Sequence, residues 1–231
     1  MRHFVSAACG LWLAVAGQVV AEEVVIVELY TSQGCSSCPP ADEFLAMLAS
    51  NPRVLPLALH VDYWDYIGWA DKFAQGKFTD RQRAYARAEG GRTIYTPQLI
   101  IGGQDRIEGF APEETARQLQ KHLAESPPVQ LTVRREGDQL VIRAETDTLP
   151  DGPMRVQLVR YTPAETVAIK RGENAGRTIT YHNIVTSWEG VGKWSGQEPL
   201  EIVVSYSGSQ PGAVIVQSDG PAAILAAARV D

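Results

Sequence analysis

The chain has 231 residues, with 21 Lys and Arg side chains against 27 Asp and Glu, which gives a formal net charge of −6. A mildly acidic protein lacks the basic surface that binds nucleic acid or an anionic membrane, so we expect neither as a partner. Compact domains usually span about 100–150 residues, and the length therefore predicts two domains. The composition is that of an ordinary globular protein.

Residues 1–21 have the pattern of a secretory signal peptide, because Arg2 precedes an apolar stretch and the small residues Val19 and Ala21 come just before Glu22. The apolar stretch is shorter than the roughly 20 residues of a spanning helix, so a membrane anchor is the weaker interpretation. No later segment is apolar enough to span. We expect cleavage before Glu22, a periplasmic or secreted protein, and no membrane insertion after cleavage.

Strand-like and helix-like segments alternate in the first half: EVVIVELY, PADEFLAMLAS, RVLPLALHV, KFTDRQRAYARAEG, TPQLIIGG and APEETARQLQKHLAES. This alternation predicts an α/β fold. Thr79 and Gln82 have the spacing of a capping box that opens the helix DRQRAYARA. Pro112 is predicted to open the last helix, where its missing N–H costs no bond. The prolines of the segment 126–128 cannot continue that helix, so we place a domain boundary there.

Short alternating runs separated by turn residues make up the second half, for example VQLTVRR, LVIRAET, MRVQLVRY, TITYHNIVTSW and LEIVVSYS. A period of two residues with Gly, Asn and Asp between the runs predicts an antiparallel sheet or sandwich. We therefore expect a first domain over residues 22–126 and a β-rich, sandwich-like second domain over residues 127–231.

The mature chain would keep two cysteines, Cys35 and Cys38, because Cys9 lies inside the predicted signal peptide. They lie in YTSQGCSSCPP, between the strand-like VVIVEL and the helix-like ADEFLAMLAS. This order predicts Cys35 beside a helix N-terminus, where free N–H groups and the helix dipole stabilise a thiolate. Cys35 is therefore the predicted nucleophile, and Cys38 is the residue predicted to resolve the mixed disulfide.

Two other interpretations of the cysteine pair stay open. An inert disulfide could pin the turn, although so small a ring constrains the unfolded chain little. A metal site could use two thiolates for Cu(I) or for half of a zinc site. Zinc would need two more ligands, and the mature chain has only three histidines and no second cysteine pair. The position at a helix start favours redox chemistry over both.

The order of strand, Cys-x-x-Cys and helix, followed later by YTPQLIIGG, resembles the thioredoxin superfamily. In that superfamily a proline held cis faces the cysteines at the start of a strand, and Pro97 after Thr96 matches this position. The resemblance covers residues 24–125 and implies a thioredoxin-like domain with a helical insertion. It further implies a Cys35–Cys38 disulfide, contact of Thr96 and Pro97 with the substrate, and chemistry that needs no bound cofactor.

Four segments, ELYTSQGCSSCPPAD, HVDYWDYIGW, FTDRQRAYA and YTPQLIIGG, are together similar to an uncharacterised family of secreted bacterial thioredoxin-like proteins that carry a domain of unknown function. The β-rich second half of that family is similar to the chain from Val129 onward. This resemblance implies a fold and a disulfide chemistry, and it implies no particular substrate.

Glu28 lies in an otherwise apolar strand, seven residues before Cys35. A carboxylate is costly to bury unless it is paired or protonated. Glu28 resembles the buried acid that thioredoxins keep behind the resolving cysteine, which makes it the predicted proton acceptor for Cys38. Its offset is one residue longer than in thioredoxin, and the alternative is an exposed position at the strand end.

The segment HVDYWDYIGWADKF follows the second predicted strand and is rich in aromatic and acidic residues. Residues at the carboxyl end of a strand in an open α/β sheet lie near the crevice where ligands bind. We therefore predict that Asp62 and Trp64 contact the substrate, with the aromatic side chains as a groove wall or a lid over the cysteines. The alternative is a small separate core under an inserted loop, with His60 and Asp62 bonded to local backbone.

Three functions fit these patterns, and an exported thiol–disulfide oxidoreductase that acts on protein thiols or disulfides is favoured. It predicts neither a bound metal nor a cofactor. A periplasmic Cu(I)-binding protein would use Cys35 and Cys38, with His60 as a third ligand. A non-catalytic interaction module would keep an inert disulfide and act through residues 127–231.

Overall fold

The structure is a computed structural model, and it describes residues 23–230. Helices and strands alternate in its first half, and strands alone make up the regular structure of the second. The helices are α1 (Pro39–Leu48), α2 (Gly76–Ala88) and α3 (Pro112–Ala124), with a short 3-10 helix at Asp65–Ile67. The strands are β1 (Val25–Thr31), β2 (Val54–His60), β3 (Gln98–Ile101), β4 (Asp105–Glu108), β5 (Gln130–Glu136), β6 (Gln139–Glu145), β7 (Met154–Ala168), β8 (Thr178–Trp194), β9 (Leu200–Ser205), β10 (Gly212–Ser218) and β11 (Ile224–Val230).

An eight-stranded mixed sheet has the strand order β11-β10-β7-β8-β2-β1-β3-β4. β1 runs parallel to β2, with a register that extends from Val25↔Val54 to Thr31↔His60. β3 is antiparallel to β1, and β4 is antiparallel to β3. A second, three-stranded antiparallel sheet has the order β5-β6-β9. The predicted α/β class is confirmed as a mixed α/β fold.

The boundary predicted at residues 126/127 does not separate two sheets. β7, β8, β10 and β11 all follow it, yet they extend the sheet that contains β1–β4. β8 pairs in parallel with β2 at Ala58↔Ile184 and so covers an edge that would otherwise leave N–H and C=O groups unpaired. The expected separate sandwich-like domain is therefore wrong for these four strands. Alternation in a sequence predicts a strand but not the sheet that the strand joins.

The side chains of β1 alternate between two cores, because successive residues of a strand point to opposite faces of the sheet. Leu29 packs in one buried cluster with Leu45 of α1. Tyr30 packs in the other with Phe78 of α2. This alternation decides which polar side chains of β1 can reach the cysteines at its end.

The starts of the later helices test two predictions. α3 begins at Pro112, as predicted. α2 begins at Gly76, so the capping box predicted from Thr79 and Gln82 is wrong. Thr79 lies inside the helix, where its hydroxyl group donates a hydrogen bond to Asp62 at 2.6 Å. The hydroxyl group that the local pattern assigned to the helix cap therefore bonds to Asp62, which lies outside the helix.

The predicted signal peptide, residues 1–21, lies outside the described residues, together with Cys9 and the cleavage site before Glu22. Glu23, the first described residue, forms an isolated antiparallel bridge with Ala228 of β11. Across the described part of the chain, no helix combines the length and the apolar composition needed to cross a membrane.

Leu45→Ala should lower the free energy of unfolding by about 2–5 kcal/mol, because it leaves a cavity between α1 and β1. Leu45 is 1% exposed, whereas Met47 on the same helix is 62% exposed. Met47→Ala is therefore the control, with an expected change within about 0.5 kcal/mol. Urea unfolding of both variants measures the difference. Equal losses would contradict the packing of α1 on β1.

Candidate functional site

Cys35 and Cys38 form a disulfide in the loop of residues 32–38, here called the cysteine loop, with a Cα–Cα distance of 5.4 Å. The N–H of Cys35 donates to the carbonyl of Ser32 at 3.1 Å, and the N–H of Cys38 donates to the carbonyl of Cys35 at 3.3 Å. Cys38 is the N-cap residue of α1, and Pro39 occupies the first turn, where a missing N–H costs no helical bond. The helix start therefore lies at Cys38, whereas the sequence predicted it beside Cys35.

Thr96 and Pro97 lie against the cysteine loop. The Thr96–Pro97 peptide bond is cis, as the resemblance implied. The hydroxyl group of Ser37 donates to the carbonyl of Thr96 at 3.5 Å and lies 3.4 Å from the Sγ of Cys35. Trp64 Nε1 donates to the hydroxyl oxygen of Thr96 at 2.7 Å. The structure thus brings Thr96, Pro97 and Trp64 to the cysteines, and their contact with a substrate stays a prediction.

The turn between β7 and β8 reaches the cysteine loop from the second half of the chain. Asn174 in this turn is 1% exposed. Its amide donates to the carbonyls of Cys35 at 2.8 Å and Gln33 at 3.0 Å. The N–H of Ser36 donates to Glu173 at 3.3 Å. Asn174 was not predicted as a site residue because GENAG has the composition of an ordinary turn, and no local pattern links residues 139 positions apart.

Glu28 is buried, but it faces α2. Arg81 donates to its carboxylate from Nε and Nη2, each at 2.7 Å, and the hydroxyl groups of Tyr30 and Tyr85 donate at 2.8 and 2.7 Å. Burial and then the charge of Glu28 raise the pKa of both tyrosines, which keeps them protonated as donors. The predicted transfer of a proton from Cys38 to Glu28 is therefore wrong. A shift of one residue along a strand moves a side chain to the opposite face.

The buried acid on the cysteine side of the sheet is Asp42, one helical turn after Cys38. Its Oδ1 accepts a hydrogen bond from the hydroxyl of Thr31 at 2.8 Å, and its Oδ2 has no partner within the described residues. Burial raises the pKa of Asp42 to about 7, against lowering by the charge of His60 and the bond from Thr31. A carboxyl group with this pKa gains and loses a proton near neutral pH.

No role was predicted for Asp42 from the sequence, because acidic residues are common in the first turn of any helix. One signal could have singled it out. Asp42 follows Cys38 by four positions, and this spacing puts both residues on the same face of a helix.

His60 and Asp71 form a buried pair beside the cysteine loop. His60 Nδ1 lies 2.6 Å from Asp71 Oδ2, and both side chains are 0% exposed. The same oxygen of Asp71 accepts the backbone N–H of Gln33 at 2.8 Å, which ties the pair to the loop. In the described part of the chain, no group of three or more His, Cys, Asp or Glu side chains is arranged to hold a metal ion. His60 is therefore not assembled with Cys35 and Cys38 as the third Cu(I) ligand of the copper hypothesis.

Asp62 lies in the segment after β2 and bonds to Thr79 of α2. Its Oδ1 accepts the hydroxyl of Thr79 at 2.6 Å, and its N–H donates to the same hydroxyl at 3.3 Å. These bonds join Asp62 to a side chain of α2 and not to local backbone, and its contact with substrate stays a prediction. Trp69 and Phe73 pack on a small buried cluster around Tyr181, as the alternative of a separate core predicts.

A family profile described as "Protein of unknown function (DUF1223)" matches residues 26–217, which include the cysteine loop and strands of both halves. The chain belongs to the DUF1223 family. The expected membership in a family with a domain of unknown function is thereby confirmed, and the match assigns no activity. Among curated proteins, none matches the chain.

Two solved structures are similar to the chain over most of its length. Protein AGR_C_4864 from Agrobacterium tumefaciens, solved by X-ray crystallography, is 32% identical with a TM-score of 0.76, and the match covers 92% of this chain and 95% of that one. HBP35 of Porphyromonas gingivalis is 13% identical with a TM-score of 0.64, and the match covers 91% of this chain and 75% of that one. The second likeness concerns the fold alone.

Arg81→Ala should destabilise the protein by about 3–5 kcal/mol, because it leaves the fully buried carboxylate of Glu28 without its countercharge. Arg83→Ala is the matched control, since Arg83 and its partner Asp80 are 48% and 74% exposed. An exposed pair contributes less than about 1 kcal/mol. Urea unfolding measures both changes, and a small loss in both variants would contradict a structural role for the buried pair.

The oxidised protein should become less stable as the pH rises from about 5 to about 8. The pKa of Asp42 is about 7 in the folded protein and about 3.9 in an unfolded chain, so the folded state binds more protons between these values. Asp42→Asn should reduce the difference in the free energy of unfolding between these two pH values by about 2 kcal/mol. Urea unfolding at both pH values measures it, with Glu113→Gln, an exposed carboxylate in the first turn of α3, as the control. Identical pH dependence in wild type and Asp42→Asn would be the contrary result.

Proposed function

We propose that the chain is an exported thiol–disulfide oxidoreductase that acts on the thiols or disulfides of other proteins through Cys35 and Cys38. The disulfide between β1 and the start of α1, next to Thr96 and Pro97, is the observation that carries this proposal. A bridge between residues three positions apart constrains the unfolded chain little. Such a bridge suits exchange chemistry better than it suits the stabilisation of a fold.

The first half of the chain is, in this proposal, a thioredoxin-like domain. The β2-β1-β3-β4 part of the sheet supports it, with β1 and β2 parallel and the next two strands antiparallel. The cysteine pair follows β1 and Pro97 precedes β3, in the order that the resemblance implies. The 3-10 helix and α2 form the helical insertion.

The exchange reaction begins when a substrate thiolate attacks the Sγ of Cys35 and Cys38 leaves as a thiolate. The N-cap position favours this leaving group, because the free N–H groups and dipole of α1 stabilise negative charge there. A second substrate thiolate then attacks the mixed disulfide, so that the substrate leaves oxidised and both cysteines are reduced. Run in reverse, the same steps reduce a substrate disulfide. Ser36 and Ser37 are exposed and offer the side from which a substrate approaches.

Asp42 takes the proton-carrying role that the sequence had assigned to Glu28. It lies one helical turn from Cys38, and its pKa of about 7 gives access to both protonation states at neutral pH. The protonated carboxyl group supplies a proton when Cys38 leaves as a thiolate. The ionised group accepts the proton of Cys38 in the reverse direction.

The location proposed for this chemistry is the periplasm or the extracellular space. The signal-like pattern of residues 1–21 supports it, as does the persistence of disulfides in oxidising compartments. Partners are other proteins that carry reactive thiols or disulfides. Exchange between two proteins supplies both electrons from sulfur, so the proposal includes no bound cofactor.

An inert structural disulfide is the second candidate, and the burial of both sulfurs favours it. Cys35 is 1% exposed and Cys38 is 0% exposed, whereas reactive cysteines are usually partly exposed. Exchange therefore requires the groups around Cys35 to move before a substrate sulfur reaches it. The two candidates differ in whether ordinary cellular thiols reduce the pair.

The Cys35–Cys38 pair should equilibrate with glutathione at a reduction potential between about −270 and −120 mV, the range of thioredoxin-like exchange proteins. Counting free thiols at fixed ratios of reduced to oxidised glutathione gives the potential. Cys38→Ser should accumulate mixed disulfides at Cys35, and Cys35→Ser should form none. A pair that stays oxidised far below the glutathione range would sink the redox proposal and leave the inert disulfide.

A further inference from the structure

Polar atoms without partners are concentrated around the cysteine loop. Five buried side-chain atoms have no hydrogen-bond partner within the described residues, and four belong to residues in or next to this loop: Gln33 Nε2, Asp42 Oδ2, His60 Nε2 and Asn174 Oδ1. A buried polar group without a partner costs roughly 1–3 kcal/mol, so such a concentration calls for a functional reason.

The strand register brings two of these residues to one place. Thr31 of β1 is paired with His60 of β2, and paired residues of neighbouring strands point to the same face of a sheet. The hydroxyl of Thr31 in turn donates to Asp42 at 2.8 Å. Asp42 therefore lies over the end of the β1–β2 pair, on the face to which His60 points.

Asp71 orients the ring of His60. Besides the 2.6 Å contact with His60 Nδ1, its carboxylate accepts the backbone N–H groups of Gln33 and Phe73. A carboxylate in this setting accepts a hydrogen bond from Nδ1–H, and Nε2 has no hydrogen-bond partner among the described residues. The edges of Phe73 and Tyr181 enclose the ring, with centroids 5.1 and 5.0 Å away. The arrangement is a buried Asp–His pair with its outer nitrogen free.

We propose that the His60–Asp71 pair sets the pH at which Asp42 exchanges a proton with Cys38. This inference rests on the oxidoreductase function proposed above. His60 is a positioning residue, because it acts on the reaction through Asp42.

The step that the His60–Asp71 pair controls is the resolution of a mixed disulfide on Cys35. Cys38 gives its S–H proton to the carboxylate of Asp42, and the resulting thiolate attacks the Sγ of Cys35. The Cys35–Cys38 bond forms as the bond between Cys35 and the substrate sulfur breaks. The substrate leaves as a thiolate with that electron pair, and Asp42 passes its proton to solvent.

The groups around Asp42 act on it in opposite directions. Burial raises its pKa, the charge of His60 lowers it, and the charges of Asp71 and Glu43 raise it. Burial also raises the pKa of Tyr181, which keeps this phenol uncharged. Without His60, Asp42 stays protonated to higher pH. It then accepts the proton of Cys38 only at higher pH.

The test uses reduced full-length protein and 5,5′-dithiobis(2-nitrobenzoate), which releases one coloured thiolate when Cys35 is modified and a second when Cys38 resolves the mixed disulfide. His60→Gln should move the midpoint of the pH–rate profile for the second release upward by roughly one unit. Asp42→Asn should remove that midpoint. In the Asp42→Asn background, His60→Gln should have no further effect, because it acts through Asp42.

His122→Gln is the matched control, because His122 Nε2 lies 2.7 Å from Asp105 Oδ2 in a second His–Asp pair that is remote from these contacts. Its profile should equal that of the wild type. An unchanged midpoint in His60→Gln, or an equal shift in the Asp42→Asn background, overturns the inference and leaves the oxidoreductase proposal standing. If the wild type never releases the second thiolate, the oxidoreductase proposal fails, and the inference fails with it.

A second measurement applies if circular dichroism reveals that His60→Gln does not fold. His60→Asn is the alternative variant, because its side-chain amide keeps a hydrogen-bond donor for Asp71 near the position of Nδ1 and carries no charge. Its midpoint for the second release should move upward, in the same direction as that expected for His60→Gln. An unchanged midpoint overturns the inference.

Discussion

The parallel pairing of β1 with β2 decides which side chains surround the disulfide. Its register sets Thr31 beside His60, so the last residues of both strands present their side chains where α1 begins. Asp42 bonds to Thr31 from α1, and Asp71 bonds to His60 from the segment after β2. A slip of one residue would send His60 to the opposite face and away from Asp42. The positions of the polar side chains near Cys38 thus depend first on the backbone register of β1 and β2, and only then on side-chain contacts.

The second half of the chain completes the same site. β8 pairs with β2, so the long β7–β8 hairpin runs beside the strands that carry the cysteine loop. The turn of this hairpin brings Asn174 to the carbonyls of Gln33 and Cys35, across sequence separations of 141 and 139 residues. Such contacts form only when both halves fold together. This dependence gives a physical reason why one family profile spans residues 26–217 without a break at the predicted domain boundary.

Local patterns were enough to predict the cysteine pair between a strand and a helix and the start of α3 at Pro112. They were not enough for the sheet that β7, β8, β10 and β11 join, because alternation carries no information about the partner strand. The face of Glu28 was missed for a related reason, since one residue of offset reverses a side chain. Asp42 and Asn174 were missed because an acid at a helix start and an asparagine in a turn are both common for local reasons.

Glu28 and Asp42 are buried carboxyl groups on opposite faces of the sheet, and they differ in their partners. Glu28 is bonded to the guanidinium of Arg81, so its charge is balanced inside the core. Among the described residues, the side chain of Asp42 has one donor, the hydroxyl of Thr31, and burial raises its pKa to about 7. General acid–base chemistry at neutral pH needs a group of this second kind. Because the pleat of β1 directs Glu28 to the α2 face, the guanidinium of Arg81 pairs with Glu28 and does not neutralise Asp42, which is left to titrate one helical turn from Cys38.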